Sequence, residues 1–319
     1  MPTTSSLALV AVALGFSWSM GAHYTGACMG MAYASRAIRL WPALLVMAPL
    51  ALLGAAFASH NVELTVGRGI VEIDRVTTGF ALVIVAVAFA LTTLYTYLRV
   101  PTSTIQILVF AVAGAAVADG LPLHWATIVR LAILWVLAPF AACALGFVFT
   151  RTLDRRLPSS ARGTASILPG ALVAVGAAAS FAMGANDVSN ATGVLVMTHL
   201  SGVLVAGVVG GAGLALGVLT WGKPLLQRVA FDIVRLDLTM ATAAQLVQAL
   251  VILIAVAFGY FTSMNQALVG AMAGTGLARG RRTIEWPTVN AILRGWALAP
   301  LSGFVLSYLV VRLAEFVSP

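Results

Sequence analysis

Charge is scarce in this chain: 9% of its 319 residues are Asp, Glu, Lys or Arg, against 61% that are hydrophobic. A soluble domain carries roughly a quarter charged residues, so this composition cannot clothe a water-facing surface. Cysteine is nearly missing as well. Cys28 and Cys143 are the only two, each alone in an apolar stretch, which excludes a disulfide framework or a cysteine metal site. Both read as small packing residues. No P-loop, HExxH, haem motif or nucleophile elbow occurs, so no enzymatic centre and no cofactor are visible.

What the sequence has in abundance is long apolar runs. Ten blocks of roughly 20 residues can be drawn, each about long enough for a helix to cross a ~30 Å hydrocarbon core. The first five fall near 6–35, 40–59, 76–98, 101–118 and 126–150, and the second five near 167–198, 202–221, 238–258, 261–278 and 288–313. The formal net charge of +8 does not point to nucleic acid, because the basic residues sit in short loops between the blocks. With ten crossings, fourteen of eighteen Lys and Arg share one face: Arg36, Arg39, Arg99, four from Arg151 to Arg162, Lys223, Arg228, Arg235 and four from Arg279 to Arg294. The positive-inside rule makes that face cytoplasmic and puts both termini outside. Met1 to Ser6 carries no basic residue ahead of the first run, so that run is expected to stay as a membrane segment.

The chain repeats itself. Met20-Gly21-Ala22-His23-Tyr24-Thr25-Gly26 aligns with Met183-Gly184-Ala185-Asn186-Asp187-Val188-Ser189, and Thr102-Ser103-Thr104-Ile105-Gln106 aligns with Thr262-Ser263-Met264-Asn265-Gln266. A third pair matches Trp135 to Phe140 with Trp296 to Leu301. The expected division is a first membrane repeat over 1–150, a basic cytoplasmic linker over 151–166 and a second repeat over 167–319. Five blocks per repeat is an odd number, so the second copy must enter the membrane inverted. Inverted repeats supply two near-equivalent arrangements around one central site, the logic of alternating access.

Polar residues inside apolar blocks mark the candidate site. Asp187 stands in a charge-free run from Gly163 to Gly222, where a carboxylate costs several kcal/mol unless paired or wetted. Around it, Gly184 to Gly193 concentrates amides, hydroxyls and glycines. This composition predicts a broken or re-entrant helix there, whose freed N–H groups would bind an oxyanion. The first copy differs, with His23 opposite Asn186 and Tyr24 opposite Asp187, so the cation chemistry of the halves is asymmetric. His23 alone reads either as a proton acceptor or as a buried, hydrogen-bonded histidine. The hydroxyl clusters at 102–104 and 262–263 open short blocks, where they can take up unmet backbone bonds or line a pocket.

Gly184 to Gly193, with Thr262 to Ala271, resembles the two signature motifs of the inorganic phosphate transporter (PiT) family, and the duplicated layout extends the likeness over essentially the whole chain. The resemblance implies an all-α membrane protein of two inverted-topology repeats of about five segments each, with broken or re-entrant helices at the central site. The first signature, Gly21 to Ile38, lacks the Asn-Asp pair. Through Met29, Gly30, Ala32, Tyr33, Ser35, Ala37 and Ile38 it is similar to the sulfate permease branch instead. The family's second-motif His is Gln106 or Gln266 here, and its Pro is Phe261 in the second copy.

On this basis the expected function is secondary transport of a small inorganic oxyanion, sulfate ahead of phosphate, across the inner (plasma) membrane. The expected substrate-binding residues are Gly21, Ala22, His23, Thr25, Gly26, Ser103, Thr104, Asn186, Ser189, Asn190, Thr262 and Ser263. Asp187, Asn186 and His23 are the expected residues for a coupling proton or sodium ion, with no resident metal and no catalytic residue. The lipid bilayer is the other partner, and a homodimer is left open. The alternative from another class is a non-transporting receptor or structural subunit.

Overall fold

A backbone in lipid has no water to bond to, so each apolar run must satisfy its own N–H and C=O groups, and a helix does so within one segment. The computed structural model describes residues 4–63, 70–72, 76–156, 162–229, 236–280 and 286–317. Among them the regular elements are helices, with one isolated bridge between Val71 and Leu123. The first half contains α1 (Thr4–His23), α2 (Thr25–Ala34), α3 (Leu40–Ala58), α4 (Thr78–Tyr97), α5 (Thr104–Ala118) and α6 (Trp125–Arg156). The second contains α7 (Arg162–Met197), α8 (Val203–Trp221), α9 (Lys223–Val229), α10 (Leu238–Ala257), α11 (Met264–Arg279) and α12 (Trp286–Val317).

Among the described residues, eight spans are long and apolar enough to cross a bilayer, with α1 and α2 together counting as one. The chain is therefore a multi-pass membrane protein. Large apolar side chains such as Trp41, Phe57, Phe140 and Leu298 are exposed on its flanks, where lipid replaces water. Helices α5 and α11 are different. With 15 and 16 residues, they reach only about 23 Å at 1.5 Å per residue, short of the ~30 Å core. Each follows a full-length helix through a tight turn, so α4–α5 and α10–α11 are helical hairpins. The turns use left-handed residues, Arg99 (φ 56°) in the first and Gly259 (φ 72°) in the second.

The two halves are threaded through one another. Helix α1 packs on α8 and α3 on α7; α5 lies along α12 and α11 along α6. Glycines record the symmetry. A Cβ on Gly21 would run into the Leu214 carbonyl, and one on Gly184 into the Ala51 carbonyl. Both pairs are related by the same shift of 163 residues, so the α1–α8 and α7–α3 crossings are two copies of one close backbone approach. Pro139 in α6 and Pro300 in α12 are a further matched pair inside the long helices.

The expected inverted repeats and helix break are present, but the break lies elsewhere than at Gly184 to Gly193. That segment is continuous helix within α7. The interruption is in the first copy, at Tyr24 between α1 and α2. The reason is local: Asn186 and Asn190 bond across to Thr262 and Thr104, while Ser180, Ser189 and Thr192 fold back onto carbonyls three or four residues earlier, which leaves the helix ladder intact. Of the expected linker, 151–156 forms the last turns of α6, 162–166 opens α7, and 157–161 lies outside the described residues.

One face carries an ion cluster. Arg279, at the end of α11, reaches Asp154 near the end of α6 at 2.6 Å and Asp237 at 3.1 Å. Asp237 also caps α10, accepting from Met240 N–H at 2.8 Å. Among the described residues, the ion pair at the end of α12, Arg312 with Glu315, stays within one helix.

Candidate transport site

The site forms where three chain interruptions meet: Tyr24, the extended stretch ending at Ser103, and the extended stretch ending at Ser263. An extended backbone buried in a membrane protein must find partners for its peptide groups. Thr262 finds both in one side chain. Asn186 Oδ1 accepts from Thr262 N–H at 3.1 Å, while Asn186 Nδ2 donates to Thr262 O at 2.9 Å. His23, the counterpart of Asn186, braces Thr102 in the same way. Thr96 gives its own hydroxyl hydrogen to Thr92 O, so it accepts from His23 Nδ1–H at 2.9 Å. That leaves Nε2 to accept from Thr102 N–H at 3.3 Å. Asn265 Nδ2 completes the first brace by donating to Thr102 O at 2.7 Å.

Both braced strands end in serine caps. Ser103 Oγ accepts from Gln106 N–H and Ser263 Oγ from Gln266 N–H, at 3.4 and 3.3 Å. The caps fix the N-termini of α5 and α11, whose partial positive charge suits an anion. One turn in, Gln106 and Gln266 bond to each other twice, each Nε2 donating to the opposite Oε1 at 3.2 Å. This reciprocal amide pair ties the two half-length helices together on the axis relating the repeats. It also floors an apolar cleft of about 570 Å³ between α6 and α12, lined by Trp135, Pro139, Trp296 and Pro300.

Beside the N-termini, Thr104 Oγ1 meets the Tyr24 hydroxyl at 2.8 Å and accepts from Asn190 Nδ2 at 3.2 Å. Asn190 Nδ2 also approaches Asp187 Oδ1 at 3.4 Å. All four side chains are fully buried. Two of their oxygens, Asp187 Oδ2 and Asn190 Oδ1, lack hydrogen-bond partners, as do Gln245 Oε1 and the hydroxyls of Thr102 and Thr262. Orphaned buried polar atoms are costly, and their concentration here is the mark of a place built to hold something polar. The carboxylate and amide oxygens suit a hard cation; the hydroxyls, with the helix N-termini, suit an anion. No Lys or Arg is among the buried described residues, so an anion here must be met by N–H groups, hydroxyls, amides and a bound cation.

The expected site residues divide by where the fold places them. His23, Ser103, Thr104, Asn186, Asn190, Thr262, Ser263 and Asp187 are brought together. Gly21 and Ala22 are buried in α1, where Gly21 meets α8. Gly26 lies in α2, and Ser189 bonds within its own helix to Asn186 O at 3.4 Å. Thr25 straps α2 to the α8–α9 junction through Gly222 O at 2.7 Å. Outside the expected set, α10 contributes Gln245, which donates to Ala27 O at 3.0 Å and to Gln248 Oε1. Gln248 in turn donates to Met264 O at 3.4 Å. Two glutamines in an apolar run are themselves a signal, by the cost that singles out Asp187.

Interlocked inverted repeats around a buried polar site without a Lys or Arg side chain are the architecture of a membrane transporter. The chain belongs to the phosphate transporter family, whose model matches residues 20–169 and again 158–307. It is 28% identical over 316 residues to the "Sulfate permease CysP" of Bacillus subtilis, covering 96% of this chain and 87% of the relative. It is 26% identical over 324 residues to a Mycobacterium leprae protein named "Probable low-affinity inorganic phosphate transporter", covering 96% and 78%. A solved structure titled "The sodium-dependent phosphate transporter" superimposes with a TM-score of 0.91 over 98% of this chain and 100% of its own, at 21% identity. At that identity the likeness speaks for the fold.

Proposed function

We propose that this protein is a secondary permease for sulfate, coupled to a cation gradient across the cytoplasmic membrane. The observation that carries it is the meeting of the α5 and α11 N-termini with unpartnered Thr102 and Thr262 hydroxyls, beside one carboxylate and no basic side chain. Hydroxyls and N–H groups donate, and sulfate is a dianion that needs donors and brings none. Asp187 Oδ2 and Asn190 Oδ1 would hold the coupling cation, whose charge offsets that of the anion. The first copy has Tyr24 in place of that carboxylate, which supports one cation site of this kind rather than two. His23 has both ring nitrogens engaged and serves as a brace for the extended strand. Phosphate is the second reading. Its residual hydrogen would need an acceptor, and Asp187 Oδ2 is one.

Uptake of radiolabelled sulfate into proteoliposomes under an imposed proton or sodium gradient tests this. Saturable uptake that unlabelled sulfate blocks and phosphate spares is the expected result, and Asp187→Asn should abolish its gradient dependence. Uptake blocked by phosphate alone would return the protein to phosphate transport. Equilibrium binding without uptake would make it a receptor.

A further inference from the structure

Two acidic side chains are fully buried among the described residues, and Asp187 is only one of them. The other is Glu63, on the turn after α3, held where its backbone N–H bonds to Ser59 O at 2.9 Å. Glu63 Oε1 faces Thr192 Oγ1 at 3.0 Å, and Oε2 has no partner. Thr192 has a single hydroxyl hydrogen and two acceptors for it, Glu63 Oε1 and Val188 O, both at 3.0 Å. An ionised carboxyl only accepts, so one of these bonds must then be lost. A protonated Glu63 donates to Thr192 while Thr192 donates to Val188, and the chain of bonds is complete.

The surroundings favour the same state. On α3 and its turn, α7 and α8, the ionisable groups are the exposed His60, Asp187, and Arg162 at the far end of α7. Gly210 of α8 packs directly on Thr192, and no ion pair joins Glu63 to a described residue. Burial pushes the Glu63 carboxyl up to about 7. Thr192 stands about 8 Å beyond Asp187 along α7, at five residues' rise, so this group lies outside the oxyanion site but on the helix that carries it.

We propose that Glu63 is a proton-binding site, separate from the oxyanion pocket, through which a proton gradient acts on transport. One proton binds from water at Oε1, the oxygen facing Thr192, and the same proton leaves to water; only the hydrogen bonds of Thr192 are exchanged. Its departure draws the Thr192 hydrogen from Val188 to Glu63, which moves a bond of α7 between Asp187 and the end of the helix. On the orientation read from the basic residues, this end of α3 and α7 faces outside, the side from which an inward gradient delivers protons.

This inference rests on the transporter reading, and its test separates the two. In proteoliposomes, Glu63→Gln should keep sulfate exchange at equal pH on both sides yet lose the stimulation given by an inward proton gradient. Stimulation equal to that of the parent would overturn the proposal. Infrared difference spectra over a pH series give an answer independent of transport: a protonated-carboxyl C=O band that titrates near neutral pH in the parent should vanish in Glu63→Gln and change its frequency in Thr192→Val, which removes the hydroxyl that Glu63 faces. The same band in parent and Glu63→Gln would sink the assignment. Absence of any sulfate or phosphate exchange by the parent would count against the transporter reading, with the infrared band still deciding whether Glu63 binds the proton.

Discussion

Burial moves the Glu63 carboxyl from an ordinary 4.5 to about 7, so the folded chain holds a proton that the unfolded chain releases. Between those values the unfolded state binds fewer protons, and stability must fall as pH rises, levelling once both states are ionised. The full effect is on the order of 3 kcal/mol, less wherever water reaches the group. Thermal unfolding in detergent at pH 5 and pH 8 should therefore show a drop in midpoint for the parent that Glu63→Gln largely removes. This residue was not legible in the sequence, because it lies just past a hydrophobic block, where a carboxylate is ordinarily solvated. Asp187 was legible, being alone in a charge-free run. His23 was visible as a polar intruder, but its role needed the positions of Thr96 and Thr102, which lie far away in the chain.

At the scale of elements, the Gln106–Gln266 pair makes a prediction of its own. Gln106→Leu leaves the Gln266 amide buried without its partner, which costs about 1–3 kcal/mol. The double variant Gln106→Leu, Gln266→Leu removes both polar groups together and should recover most of that loss, as a double-mutant cycle on thermal stability would register. Equal destabilisation by single and double variants would mean that the pair does not bond as described. The short blocks beginning near 101 and 261 were readable from their hydroxyl openings and repeated spacing. The break was not placed correctly, because Gly, Asn, Asp and Ser in α7 suggest backbone competition. In the fold, the Asn186 amide is drawn off by Thr262, and α7 runs on intact.

For the whole molecule, the threading of α1 on α8 and α3 on α7 means that neither half can bury its helix-facing glycines alone. Co-expression of two fragments divided within 157–161 should yield a complex that copurifies, whereas either fragment expressed singly should be degraded or aggregate. A singly expressed half that purified as a stable monomer would contradict the interlocked packing. The duplication itself was legible, since three motif pairs recur in order at nearly one spacing. The exchange of partners between copies was not, because sequence similarity says which segments correspond and nothing about which ones touch.

Among the described residues, the Arg279 cluster ties the ends of α6 and α11 to the start of α10 on one face, while Arg312 and Glu315 pair within a single helix. Half-exposed ion pairs contribute about 0.2–1 kcal/mol each. Two of them at one end would give the near-symmetric machine an uneven resting balance of about twofold to thirtyfold between its two facings, relaxing toward parity as salt is raised. A carrier built from twin halves would then be a rectifier by virtue of one clasp.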